Sequence, residues 1–130
     1  MAVFDEALSY ARNRVVFGKP IAAFQLQQEK LVFMASEITK GQLLALRLGR
    51  LKEEGKATPA QISMGKRNNI WVARECARLA REILGAVGIA DEFQSGRHMA
   101  NMEAVYTYEG THDIHTLIIG EALTGHPAYS

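Results

Sequence analysis

One cysteine among 130 residues leaves Cys76 nothing to pair with inside the chain. An internal disulfide is excluded, and a reducing compartment fits. Charge of neither sign dominates: 15 Lys and Arg stand against 14 Asp and Glu, for a net charge of +1. Such a balance gives no electrostatic footprint for nucleic acid or an acidic membrane. No apolar run approaches the roughly 20 residues that span a bilayer. The opening MAVFDEALSY lacks the basic start and apolar core of a signal peptide. Strict apolar–polar alternation occurs nowhere, so no strand is expected. These absences describe one soluble intracellular domain, long enough to bury about two-thirds of its unfolded surface.

What is present has helical period. Proline is scarce, and Pro20, Pro59 and Pro127 act as fences. Before the first, Phe4, Ala7, Leu8, Ala11 and Val15 recur at helical spacing, and Phe17-Gly18-Lys19-Pro20 stops the run. A long helix is predicted from Phe24 to Glu54, closed by Gly55. Thr58-Pro59-Ala60-Gln61 combines a cap residue, a proline at the first helical position and a glutamine three residues after the cap. The helix it opens carries Ile62, Ala73, Cys76, Ala80 and Ile83 on one face and ends at Gly85. Lys66, Arg67, Arg74, Arg78 and Arg81 lie on the other face, which reads as solvated. A glycine-broken loop over 85–96 precedes a helix from His98 to Tyr108. Gly110 interrupts it, and a last helix runs from Thr111 to Leu123. Gly41, Gly49, Gly65 and Gly120 fall inside helices, where each costs about 1 kcal/mol against alanine. Close helix approach is their expected reason. The fold class is all-α: an up-and-down four-helix bundle with one extra short helix.

Val105 to Thr116 sets one carboxylate, Glu109, against a glycine, with two tyrosines before it and two histidines after it. Three readings stay open on residue chemistry alone. Glu109 is a solvated carboxylate beside a helix stop at Gly110 and a cap at Thr111. Alternatively Glu109-Gly-Thr-His112 is a metal-binding Glu-x-x-His with His115 as a third ligand. No second Glu-x-x-His exists to complete a two-metal site, and the pair straddles a glycine, so no metal is assigned. Lastly, a carboxylate at a helix C-terminus with aromatic neighbours has its pKa raised by the helix dipole and by desolvation, as suits a general base.

Tyr108-Glu109-Gly110-Thr111 resembles the active-site segment of the acyl-CoA dehydrogenases. The run Arg97-His98, Asn101, Glu103-Ala104-Val105 and Thr107 to His115 is similar to the glutaryl-CoA dehydrogenase branch. So are Glu37-Ile38-Thr39, Leu48 to Lys52, Lys66 to Asn69 and Ile83 to Ile89. Arg14-x-x-Phe17-Gly18-x-x-Ile21-x-x-Phe24-Gln25 is similar to the family's other C-terminal signature. The resemblance implies FAD-dependent α,β-dehydrogenation of an acyl-CoA, with electron-transfer flavoprotein as acceptor. In the glutaryl branch loss of carbon dioxide then gives crotonyl-CoA.

Carried over, Glu109 is the base and Gly110 lines the thioester pocket. Thr111, His112 and Asp113 contact FAD. Arg14, Gln25 and the turn Glu82, Ile83, Leu84, Gly85 and Ala86 reach the FAD of a neighbouring subunit, and Tyr129 packs near the flavin. Two positions depart from the common pattern, which has glutamine for Glu82 and a second glycine for Ala86. An acid near phosphates is unfavourable unless its side chain turns away. The family has three domains, and residues 1–130 correspond to the C-terminal helical one, without the N-terminal helical and central β domains. Further expectations follow: assembly as a homotetramer, a cytoplasmic or mitochondrial-matrix location, and an isolated chain that is inactive and does not hold FAD. The rivals are a pure oligomerisation module and a piece of another acyl-CoA dehydrogenase or oxidase.

Overall fold

Helix α3, Pro59–Leu84, touches every other helix of the chain. Its start follows from local chemistry. Thr58 Oγ1 accepts from the Gln61 N–H at 3.3 Å while Gln61 Oε1 accepts from the Thr58 N–H at 2.9 Å, and Pro59 occupies the first turn. Gly85, at φ +66°, ends it. Around α3 stand α1 (Ala2–Asn13), α2 (Gln25–Glu53), α4 (Gln94–Thr107) and α5 (His112–Thr124). The computed structural model describes residues 1–129, and the fold is all-α with two long helices and three of 12 to 14 residues. Val3, Ala7, Ala11, Leu31 and Met34 pack on Val72, Cys76, Leu79, Ala80, Ile83 and Leu84 to form the core. Among the described residues no helix is long and apolar enough to cross a membrane.

Several expectations give way. Val15–Val16 and Lys19–Pro20 pair as an antiparallel hairpin, β1–β2, so α1 ends at Asn13. Phe17 and Gly18, at φ +53° and +78°, supply the two left-handed residues that tight hairpins require. Strands of two residues are too short to show alternation. Residues 85–89 form a 3-10 turn rather than an open loop. Helix α4 begins at Gln94, four residues before His98, because its cap comes from α1. Glu6 accepts from the backbone N–H of Gln94 at 2.8 Å and of Ser95 at 3.1 Å.

On α3, Ile62 is half exposed, and the face turned inward at that end is Ser63 and Gly65. The opposite face is solvent-exposed at Arg67 and Arg78, as expected, and also carries contacts. Arg67 donates to Thr116 at 2.7 Å, Arg74 pairs with Glu103 at 2.6 Å, and Arg78 pairs with Glu75 and Glu82. Close approach accounts for Gly41 and Gly65, where a Cβ would lie 3.1 Å from Asn69 Oδ1 and 2.2 Å from Leu48 Cδ1. At Gly49 and Gly120 a Cβ would meet nothing within 4 Å, so packing does not require either glycine.

Candidate active site

Helix α4 ends at Thr107, and Tyr108 is extended at φ −80° and ψ 166°. Glu109 and Gly110 then take φ +54° and +89°, two left-handed residues in succession. Glu109 is one of only two non-glycine residues with positive φ among those described, and such a conformation persists only where its surroundings impose it. Thr111 caps α5, its hydroxyl accepting from the Ile114 N–H at 3.2 Å.

The surroundings that impose the bend come from α3 and α5. The Lys66 ammonium donates to the carbonyls of Tyr108 and Gly110. His115, buried, lies 3.0 Å from Ser63 Oγ through Nδ1 and 3.3 Å from the Glu109 carbonyl through Nε2. A carbonyl can only accept, so the Nε2–H tautomer is the one that fits. A Cβ on Gly110 would stand 2.9 Å from that Nε2. Glu109 itself is exposed. The dry setting expected from its aromatic neighbours is therefore not supplied by this chain, in which Tyr108 is 53% exposed.

Beside the connector, His112 stacks on Tyr106 with centroids 4.6 Å apart and planes at 12°. Burial, and next the Arg67 charge, lower the pKa of His112. Thr111 and Asp113 are exposed, and the N–H groups of His112 and Asp113 open α5 without a partner among the described residues. Two free donors at a helix N-terminus suit carbonyl or anionic groups of a cofactor. Glu109 lies outside any helix while His112 is in α5, so the two do not share a helical face, and no three potential ligands cluster among the described residues.

The other expected residues form a separate group. Arg14 and Gln25, both exposed, flank the hairpin, and the Arg14 carbonyl accepts from the Ile21 N–H at 2.8 Å. Ile83 and Leu84 put their side chains in the core, leaving Gly85 and Ala86 as the exposed part of the turn. A Cβ on Gly85 would meet nothing within 4 Å, so the space before that turn is open. Glu82 turns toward Lys30, at 3.1 Å, and toward Arg78. The hydrogen bond from Lys30 holds its carboxyl below the usual range against an opposing effect of burial, and Arg78 adds to the lowering. Its charge is thus met within the chain. Lys66 and Leu84 are 18 residues apart on one helix, or about 27 Å along its axis. The connector and this turn are therefore two sites, not one pocket. Tyr129 is exposed at the end of the described chain.

Residues 1–124 match the family model described as acyl-CoA dehydrogenase, C-terminal domain. The chain belongs to that family. Among solved structures it is similar to the glutaryl-CoA dehydrogenase of Mycobacterium smegmatis, at 52% identity and TM-score 0.97, over 99% of this chain and 33% of that one. A second glutaryl-CoA dehydrogenase structure from the same organism, in complex with FADH2, matches at 46% identity and TM-score 0.96 over 98% of this chain and 33% of that one. A curated short-chain acyl-CoA dehydrogenase of Megasphaera elsdenii is 32% identical over 122 residues, which is 94% of this chain and 32% of that protein. The chain thus spans about a third of the length of these relatives.

Lys66, Ser63 and His115 received no structural role from the sequence. The only signal was that Ser63 and Lys66 are three residues apart, a spacing that places them on one side of a helix.

Proposed function

We propose that this chain is the C-terminal domain of a FAD-dependent acyl-CoA dehydrogenase of the glutaryl-CoA type, with Glu109 as the base that removes the substrate α-proton. The observation that carries the reading is an exposed carboxylate on a strained connector whose three carbonyls are held by Lys66 and His115. An ordinary surface glutamate needs no such support. The carboxylate accepts the proton from the carbon next to the thioester, and Gly110 leaves room for that carbon to approach. FAD, when bound, supplies the acceptor for the hydride that leaves the β-carbon. The open N–H groups of α5, together with Thr111, His112 and Asp113, would hold one side of it, and Tyr129 would pack near its flavin. Arg14, Gln25 and the turn Glu82 to Ala86, chiefly through Gly85 and Ala86, would reach the cofactor of a second copy.

The glutaryl branch is favoured by the two M. smegmatis glutaryl-CoA dehydrogenase structures, at 52% and 46% identity, whereas another glutaryl-CoA dehydrogenase structure, at 31%, matches no better than the short-chain relative at 32%. In that branch the γ-carboxylate leaves as carbon dioxide after dehydrogenation, and the product is crotonyl-CoA. Electrons would pass on to electron-transfer flavoprotein. Assembly into a homotetramer is supported by apolar side chains exposed along α2, namely Leu26, Val32, Leu43 and Leu46. The same exposed side chains favour the second reading, an oligomerisation module without activity.

A chimera with this chain in place of the C-terminal domain of the M. smegmatis enzyme separates the readings. Turnover of glutaryl-CoA is expected, and Glu109→Gln should keep flavin content while lowering turnover at least about a hundredfold. Near-normal turnover of that variant removes Glu109 from the role. A chimera that binds flavin and assembles but never turns over leaves the oligomerisation module. A short-chain enzyme rebuilt in the same way should gain less activity, if the branch is correct.

A further inference from the structure

The geometry points to Lys66 as the positioning residue that aims the Glu109 carboxylate, with His115 and Ser63 as its support; this rests on the reading of Glu109 as the base. The connector has three consecutive carbonyls, and each is held by a side chain. Lys66 takes those of Tyr108 and Gly110, on either side of Glu109, and His115 takes the one between. Lys66 forms no salt bridge among the described residues. An ammonium has three donors. Two are spent on backbone, and the group also lies 5.8 Å from the centre of the Tyr108 ring, within cation–π range.

The Tyr108 carbonyl follows the last turn of α4, where a cation is favoured by the helix dipole. His115 is fixed in turn, because Ser63 holds its Nδ1 from α3. The Glu109 side chain has no hydrogen bond or salt bridge of its own among the described residues. Within this chain only the direction of its Cα–Cβ bond is therefore fixed, by a backbone whose carbonyls are drawn toward α3 and α5. Drawing the carbonyls inward leaves the side chain pointing out, as its exposure requires. Misplacing a reacting group by about 1 Å costs on the order of a hundredfold in rate, so a clamp on this bend acts on catalysis without touching substrate.

Two arms test this. In the 130-residue chain, Lys66→Met should move the Glu109 and Gly110 backbone carbon shifts from positive-φ values toward disordered ones. Their amide order should fall while the α3 and α5 shifts and the helical circular dichroism remain. Lys66→Arg, which keeps the charge and the donors, should restore most of the signature. His115→Gln, which frees only the middle carbonyl, should give a smaller change and serves if Lys66→Met does not fold. In the chimera, Lys66→Met should lower kcat about 10- to 100-fold with KM within about twofold and flavin content unchanged. Unaltered Glu109 and Gly110 shifts in both variants overturn the proposal, and so does a loss expressed in KM alone. The first arm does not depend on turnover. Should Glu109→Gln prove active, the base reading fails while the shifts still decide whether Lys66 holds the bend.

Discussion

Gly110→Ala separates backbone strain from steric conflict at the connector. Alanine at φ +89° adopts a left-handed conformation, which costs about 1–2 kcal/mol for a residue with a Cβ. The new methyl would also lie 2.9 Å from Nε2 and 3.2 Å from Cε1 of His115. That ring is buried between Ser63 at 3.0 Å and the Glu109 carbonyl at 3.3 Å, so it has little freedom to retreat. Moving it breaks a buried hydrogen bond, a further loss of about 1–3 kcal/mol. The expected total is about 3 kcal/mol, a large share of the roughly 5–15 kcal/mol that holds a domain together.

Gly55→Ala is the control. Gly55 has φ +68° and open space around its Cβ position, so it carries the conformational cost alone. Urea unfolding followed by circular dichroism should place Gly110→Ala about 1–3 kcal/mol below Gly55→Ala. A double-mutant cycle with His115→Ala should remove most of the excess, since neighbours in contact are not additive. Equal losses at the two glycines, or an excess that survives without His115, would refute the steric account.

Glu6→Ala should cost about 2 kcal/mol by removing the cap of α4, and hydrogen exchange should speed up at residues 94–97 before it does elsewhere. Gly49→Ala and Gly120→Ala should each raise stability by up to about 1 kcal/mol, because both are helical with free space around them. Gly65→Ala, 2.2 Å from Leu48 Cδ1, should lower it, and thermal melts will rank the three. Burial pushes the Cys76 thiol up to about 11 from an ordinary 9.0. The unfolded thiol therefore ionises first as pH rises, so this contribution to stability is intact below about pH 9 and lost by about pH 11. Wild type should lose about 2–3 kcal/mol more than Cys76→Ala between those limits, as read from urea midpoints.

The helix stops and starts that were legible share one property, which is that their chemistry is local. Thr58 and Gln61 cap each other within a single turn, and Gly85 and Gly110 act through their own φ. Where the deciding partner is distant, the sequence is silent. Glu6 caps α4 across 88 and 89 residues, and without that contact His98 is the natural start. Lys66 reaches the connector across 42 and 44 residues, so its place in a row of basic residues suggested only a solvated face. The interior glycines mislead for a related reason: a glycine in a helix signals space, but not whether anything fills it. Asn69 and Leu48 do so at Gly41 and Gly65, and nothing does at Gly49 or Gly120.

The same distinction divides the labour at Glu109. The direction of the Cα–Cβ bond is a property of backbone, and this chain supplies it through Lys66, His115 and the left-handed pair at 109 and 110. Dryness is a property of what lies over the side chain, and Glu109 is exposed. A carboxylate base gains from losing water, so in the function proposed the covering surface has to come from outside these helices. The cofactor reading has the same form. The α5 start and the turn after α3 stand about 27 Å apart along one rigid helix, and neither surrounds a ligand. A tight cofactor site normally encloses most of its ligand, which two separated edges of one chain cannot do. What the bundle supplies alone is geometry: two edges at a fixed separation and a backbone that fixes where the Glu109 side chain leaves the chain.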